Sequence, residues 1–298
     1  MILRSAARGC SAESTKEVCT LTENRDASRH RRRRKFAAAV ALLGLVGMAN
    51  GVDAAAVDLS RADALRIGKK IWQNECAGTV AGLTSWNAGE NFASLGIGHF
   101  IWYPKGVRGP FEESFPDFIS FAAAHHASVP EVARANRSSG CPWNSQAEFL
   151  AAKQSPPMQQ LRDFLAGTID VQADFLVNRL QQALPKMLAA VAPARRADVQ
   201  RQFDRVAGSA HGCYALVDYV NFKGEGVLDT ERYNGRGWGL LQVLEGMSGS
   251  EPGPSAAKEF ADSARRTLKE RVANSPPARG EKRWLQGWLS RVSSYHLD

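Results

Sequence analysis

The sequence contains no internal repeat, no low-complexity tract and no apolar run long enough for a comfortable bilayer span. Its 26 glycines and 13 prolines in 298 residues exclude collagen-like and disordered classes. Five cysteines are too few for a disulfide scaffold, and none stands with histidine at a zinc-site spacing, so neither a metal nor another cofactor is expected. Cys10 and Cys19 precede the main body, which keeps Cys76, Cys141 and Cys213. That odd number leaves room for one disulfide and one buried thiol. His125-His126 reads as a solvated helix end.

What is present is ordinary globular material, 44% hydrophobic, 23% charged and 8% aromatic, enough for one large or two small domains. The net charge of +8 would suggest a nucleic-acid partner if it lay on the body. Residues 1–54, however, hold 10 of the 38 Lys/Arg and 5 of the 30 acidic residues, which leaves the remainder at +3. A body so mildly basic has no polyanion groove, and no nucleic-acid partner is expected.

The block Arg31–Lys35 runs into a short apolar stretch, 36–50, followed by Val52-Asp-Ala-Ala-Ala56. A positive segment, a short apolar segment and small residues at the cleavage point make an export signal. Arg33-Arg34-Lys35-Phe36 also resembles a twin-arginine signal, and a plain basic segment fits equally. Residues 1–54 are therefore read as leader and signal peptide and 55–298 as the mature domain. That domain is expected to be periplasmic or secreted, monomeric and free of stable membrane insertion once the signal is removed.

The body is patterned mainly for helices. Ser60-Arg-Ala-Asp63 has the form of a capping box, and Leu59, Ala62, Leu65, Ile71 and Trp72 fall on one face of a helix ending near Asn74. Between Cys76 and Pro110 the texture changes to Gly, Ser, Thr, Asn and aromatics, the mark of short strands and turns. Further helices are predicted near 115–125, 145–152, 158–166, 170–190, 196–207, 212–221, 236–246, 255–272 and 280–293. The fold class is thus α+β, mainly helical, with a small β-hairpin flap after the first helix.

The residues that carry chemistry begin at Lys70-Ile-Trp-Gln-Asn-Glu75-Cys, followed by Ser94-Leu-Gly-Ile-Gly-His99-Phe. This pair of segments resembles the active-site entrance of phage-type lysozymes, in which a helix ends in a glutamate and a hairpin carries Thr-Ile-Gly-x-Gly-His. Here Ser94 stands in place of the Thr, and Ala88 in place of an aspartate six residues before it. Asn274-Ser-Pro-Pro-Ala-Arg279 with Arg283 and the helix beyond resembles the closing segment of the same enzymes. Ala215-Leu-Val-Asp-Tyr-Val-Asn221-Phe-Lys-Gly-Glu225 is similar to their central helix, and Trp238-Gly-Leu-Leu-Gln242 to a segment of goose-type lysozymes and lytic transglycosylases. The resemblance implies a lysozyme-like fold with a helical insertion near 111–210, acting on peptidoglycan or a related amino-sugar polymer.

Cleaving a glycosidic bond requires a carboxyl group that still holds its proton near neutral pH, commonly because apolar walls solvate its charge poorly. Glu75, beside Ile71 and Trp72 and across from Trp86, Phe92, Trp102 and Tyr103, suits a general acid. Glu90 is the candidate for the second carboxylate and Ser94 for the group that holds attacking water. The substrate wall is assigned to Trp86, Asn87, His99, Asn221, Glu225, Tyr233 and Gln242, with His99 also fastening the Glu75 loop across the flap. Gly96 and Gly98 permit a tight turn, while Trp284 and Trp288, one helical turn apart, read as core.

The expected activity is a muramidase cutting β-1,4 bonds. The acids Glu75, Glu90, Glu225 and Glu231 suggest a groove that favours deacetylated glycan. If Glu90 is no base, a lytic transglycosylase results, and a chitosanase-like enzyme also fits. From other classes, a catalytically inactive glycan-binding protein and an effector acting on a protein partner remain open.

Overall fold

Ser60 caps the first helix, its side chain accepting from the Asp63 amide. The computed structural model describes residues 59–109 and 111–296; the export-signal reading of residues 1–54 lies outside the described residues. Helix α1 (Arg61–Cys76) leads into a 3-10 turn and the strands β1 (Thr84–Ser85), β2 (Ala93–Leu95) and β3 (Phe100–Trp102). Next come α2 (Phe115–Ala124), α3 (Glu131–Asn136), α4 (Gln146–Ala151), α5 (Pro156–Gly167), α6 (Ile169–Ala190), α7 (Pro193–Ala207) and α8 (Ala210–Lys223). A second hairpin, β4 (Arg232–Tyr233) and β5 (Arg236–Gly237), precedes α9 (Leu240–Glu245), α10 (Pro254–Asn274) and α11 (Lys282–Ser293). The class is α+β and mainly helical.

The buried face of α1 is Ala64, Ile67, Gly68 and Ile71, not Ala62 and Leu65. Gly68 sets it: a Cβ there would meet the Ala173 Cβ of α6 at 2.5 Å, so the two helices approach as only glycine allows. Helix α6 packs on both α1 and α8. Within 111–210, α6 thus supplies the surface on which the first helix rests.

Strands β1, β2 and β3 form an antiparallel sheet in sequence order, pairing Ser85 with Ser94 and Ser94 with Ile101. Aromatic packing fixes this flap to the helices. Phe100 stacks on Phe118 of α2 at 5.1 Å and meets Phe175 of α6 edge-on at 5.2 Å, and Trp102 lies 4.7 Å from Phe115. Residues 236–237, expected to open the helix of 236–246, instead form the second strand of a hairpin that turns on Asn234 (φ 51°) and Gly235 (φ 74°). Both central residues need positive φ in such a two-residue turn, which Asn-Gly accommodates at little cost.

The three described cysteines are all free and buried, so the disulfide for which their number left room is not formed among them. Burial pushes the Cys76 and Cys141 thiols up to about 12 and Cys213 up to about 11. Thiols held in that state are inert packing groups. His125 and His126 are exposed at the end of α2.

Candidate active site

Glu75 sits in the last turn of α1, where Ala77 (φ 51°) ends the helix and the Trp72 indole donates to the Thr79 carbonyl at 3.2 Å. The returning chain brings the Gly96-Ile-Gly-His99 turn against this end. The Cys76 thiol donates to the Gly96 carbonyl at 3.4 Å, Gln172 of α6 accepts from the Ile97 amide at 2.8 Å, and Asn221 of α8 donates to the Gly98 carbonyl at 3.0 Å. The positive φ values fall on Gly96 (72°) and His99 (49°). A Cβ on Gly96 would lie 2.4 Å from the Gln172 Oε1, so the turn and the fully buried Gln172 fit only with glycine there.

His99 Nδ1 lies 3.5 Å from Glu75 Oε2. Burial lowers the His99 pKa, with Arg291 adding to the effect against the opposing charge of Glu75. Burial thus favours the neutral ring, which stands beside the carboxyl without neutralising it.

The charge partner of Glu75 comes from the far end of the chain. Arg291 of α11 donates through Nη2 to Glu75 Oε1 at 2.7 Å and to Asp218 Oδ1 at 2.7 Å, while its Nε donates to Asp218 Oδ2 at 2.8 Å. Asp218 is fully buried in α8 and also accepts from the Tyr295 hydroxyl at 2.6 Å. Burial alone would lower the Arg291 pKa, but Asp218 and Glu75 hold it well above the ordinary value. One guanidinium therefore ties α1, α8 and α11 together with charge-assisted bonds. Asn74, the neighbour of Glu75, donates to the Tyr214 hydroxyl at 2.9 Å on the same helix as Asp218.

Glu90 lies in the loop between β1 and β2. Burial raises its pKa, the hydrogen bonds from Asn87 oppose this, and the charge of Glu75 adds to the rise. The exposed Asn87 donates to Glu90 Oε2 at 3.1 Å. Ser94, on the central strand, is 3% exposed. Glu75, Glu90, His99 and Asn221 thus gather around the flap and its turn.

The other expected wall residues have different partners. Trp86 is interior, its indole donating to the Glu90 carbonyl at 2.8 Å and its ring 5.8 Å from Phe149, so it stiffens the Glu90 loop and offers no sugar platform. Glu225 is buried and paired with Lys186 at 3.0 Å. The Tyr233 hydroxyl donates to Glu281 at 2.9 Å, and Glu281 takes both arms of Arg271. Gln242 accepts from the Gly239 amide at 2.9 Å and donates to the Gly226 carbonyl at 3.0 Å, pinning the loop after α8 to the start of α9. A cleft of about 360 Å³, lined among others by Glu112, Asp117, Arg179, Lys186 and Glu225, adjoins the turn through Arg179, which donates to Asn221 at 3.3 Å.

The expected acidic surplus is largely compensated. Arg291 faces Glu75, Lys186 faces Glu225, and Glu231 accepts from the Gly226 amide at 2.8 Å. Burial, opposed by its backbone bonds and helped by Glu225, raises Glu231 to about 7. The folded state thus holds that proton more tightly than the unfolded chain, for which 4.5 is the ordinary value. The stability that it contributes is complete below pH 4.5 and is lost as pH rises through about 7. Thermal melts from about pH 5 to about pH 8 should fall less for Glu231→Gln than for the parent; parallel curves would show that Glu231 does not titrate there.

Sequence reasoning passed over Asp218, Arg291 and Gln172. Two signals were available: Asp218 interrupts the apolar run Tyr214-Ala-Leu-Val-Asp-Tyr-Val, where a charge needs a buried partner, and Arg291 falls on the same helical face as Trp284 and Trp288. No family model matches the sequence, and no curated protein or solved structure matches the chain. Among the described residues no three His, Cys, Asp or Glu side chains converge as a metal site.

Proposed function

We propose that this chain is a lysozyme-like glycoside hydrolase that cuts the β-1,4-linked glycan strand of peptidoglycan outside the cytoplasm. Glu75 gives its proton to the bridging sugar oxygen. The observation that carries this reading is the placement of Glu75 at the end of α1 against the Gly96–His99 turn, with the Cys76 thiol on the Gly96 carbonyl at 3.4 Å and His99 Nδ1 3.5 Å from Glu75 Oε2. His99 and the Gly96–His99 turn keep the carboxyl aimed, and Glu90 and Ser94 on the flap are the groups for the water step. The order of helix-end glutamate, small sheet and Gly-Ile-Gly-His turn supports the lysozyme resemblance, which covers most of 58–298.

Because Arg291 and Lys186 offset two of the four acids, fully acetylated glycan is the favoured substrate. Purified sacculi, acetylated and chemically deacetylated, are digested and the fragments weighed. Fragments with reducing ends, released at least as fast from the acetylated wall, are expected. Anhydro ends would instead assign a lytic transglycosylase in which the sugar's own hydroxyl attacks, and the absence of any soluble fragment would overturn the reading.

A further inference from the structure

Helix α11 carries more aromatic surface than the core covers: only Val292 along it is fully buried, and Trp284, expected as core, is 43% exposed. Behind Trp284 runs a ladder in which cations and rings alternate. Trp284 packs on Trp288 with ring centroids 6.1 Å apart and 29° between planes. Lys223 lies 3.5 Å from the Trp288 centroid and 3.8 Å from that of Phe222. Arg291 covers Phe222 at 4.1 Å and ends the ladder on Glu75. At the outer end the Arg283 guanidinium lies 4.3 Å from the Trp284 centroid, and Arg279, Lys282 and Arg283 are all exposed around it.

We propose that the outer face of α11, centred on Trp284 and Arg283, is a binding surface for the carboxylate-bearing glycan strand of peptidoglycan, joined to the Glu75 centre through the packed ladder of Trp288, Lys223, Phe222 and Arg291. It rests on the reading of Glu75 as a glycan-cleaving acid, because the same helix carries both this face and the Arg291 that engages the reacting carboxyl. The chemistry matches: aromatic rings take the apolar faces of sugars, while exposed guanidinium and ammonium groups answer the peptide carboxylates. A lipid surface fits less well. Among the described residues of α11, Trp284 is the single large apolar side chain in the exposed class, whereas insertion into a bilayer needs a row of them.

The test is a sedimentation isotherm on intact sacculi, using Glu75→Gln to prevent digestion. Adding Trp284→Ala should weaken binding at least about tenfold, the loss expected of an aromatic anchor. Arg283→Glu should weaken it comparably, and Leu150→Ala, an exposed apolar residue elsewhere, should not. Melting curves of the two α11 variants show whether each is folded. Unchanged binding by a folded Trp284→Ala or Arg283→Glu protein would overturn the inference. So would a loss seen only on phosphatidylglycerol vesicles and not on sacculi. Binding that needs Trp284 in a protein that releases no fragment from sacculi would leave this surface standing and remove the hydrolase reading, so the two failures are distinguishable.

Discussion

Asp218→Ala is expected to destabilise the protein by about 3–5 kcal/mol, the cost of stripping a buried charge of its partner. The loss is large because Asp218 is fully buried and accepts two bonds from Arg291 and one from Tyr295. Without it, Glu75 is the one carboxylate left on Arg291 among the described residues, and the Tyr295 hydroxyl loses its acceptor in the interior. Urea unfolding measures the effect directly. Asp170→Ala, which removes an exposed partner of Arg61, is the control and should change stability little. An Asp218→Ala protein as stable as the control would mean that the three helices are held by packing alone.

The second large effect is catalytic. Glu75→Gln should lower turnover of sacculi by about 10²–10⁴, the usual contribution of a positioned general acid. Glutamine keeps a carbonyl oxygen for the Arg291 Nη2, so the fold and the turn at Gly96 should persist and binding to sacculi should remain. Turnover within about tenfold of the parent would place the proton donor elsewhere, with Glu90, whose pKa burial raises, as the next carboxyl to replace. Measuring binding and turnover on one preparation separates a lost acid from a lost fold.

Much of the helical scaffold was legible in the sequence, because hydrophobic spacing and punctuation are local. Ser60 announced the start of α1, and the predicted segments at 170–190 and 280–293 lie close to α6 and α11. What escaped depends on residues without hydrophobic weight. Gly68 gives no apolar signal, yet its missing Cβ decides which face of α1 is buried, and the sequence reading rotated that face toward Ala62. Asn234-Gly235 did carry a local hairpin signal, which lost to the helical pattern on its C-terminal side. The short helix α3 has no side-chain cap and buries only Ala133, whereas α4, of equal length, announces itself with the Ser145 cap and Phe149.

The candidate site divides the same way. Glu75 and the Gly-Ile-Gly-His turn stood out because they are contiguous motifs, and Glu90 because it neighbours them. Trp86 and Gln242 were read as substrate wall because sequence shows a side chain's chemistry and not whether another part of the chain already engages it. Trp284 was misjudged in the opposite direction: helical spacing with Trp288 implied a core pair, and only the packing of α11 leaves one of the two in solvent.

Glu75 and the guanidinium that engages it are 216 positions apart. A nascent chain can assemble α1, the flap and the turn once α6 and Asn221 of α8 have emerged to hold them, but it lacks the cation of the centre until residue 291 has left the ribosome. Synthesis therefore yields the reacting glutamate 216 positions before its counter-ion, so a molecule grown just past α8 carries the scaffold of the centre without its completed charge arrangement.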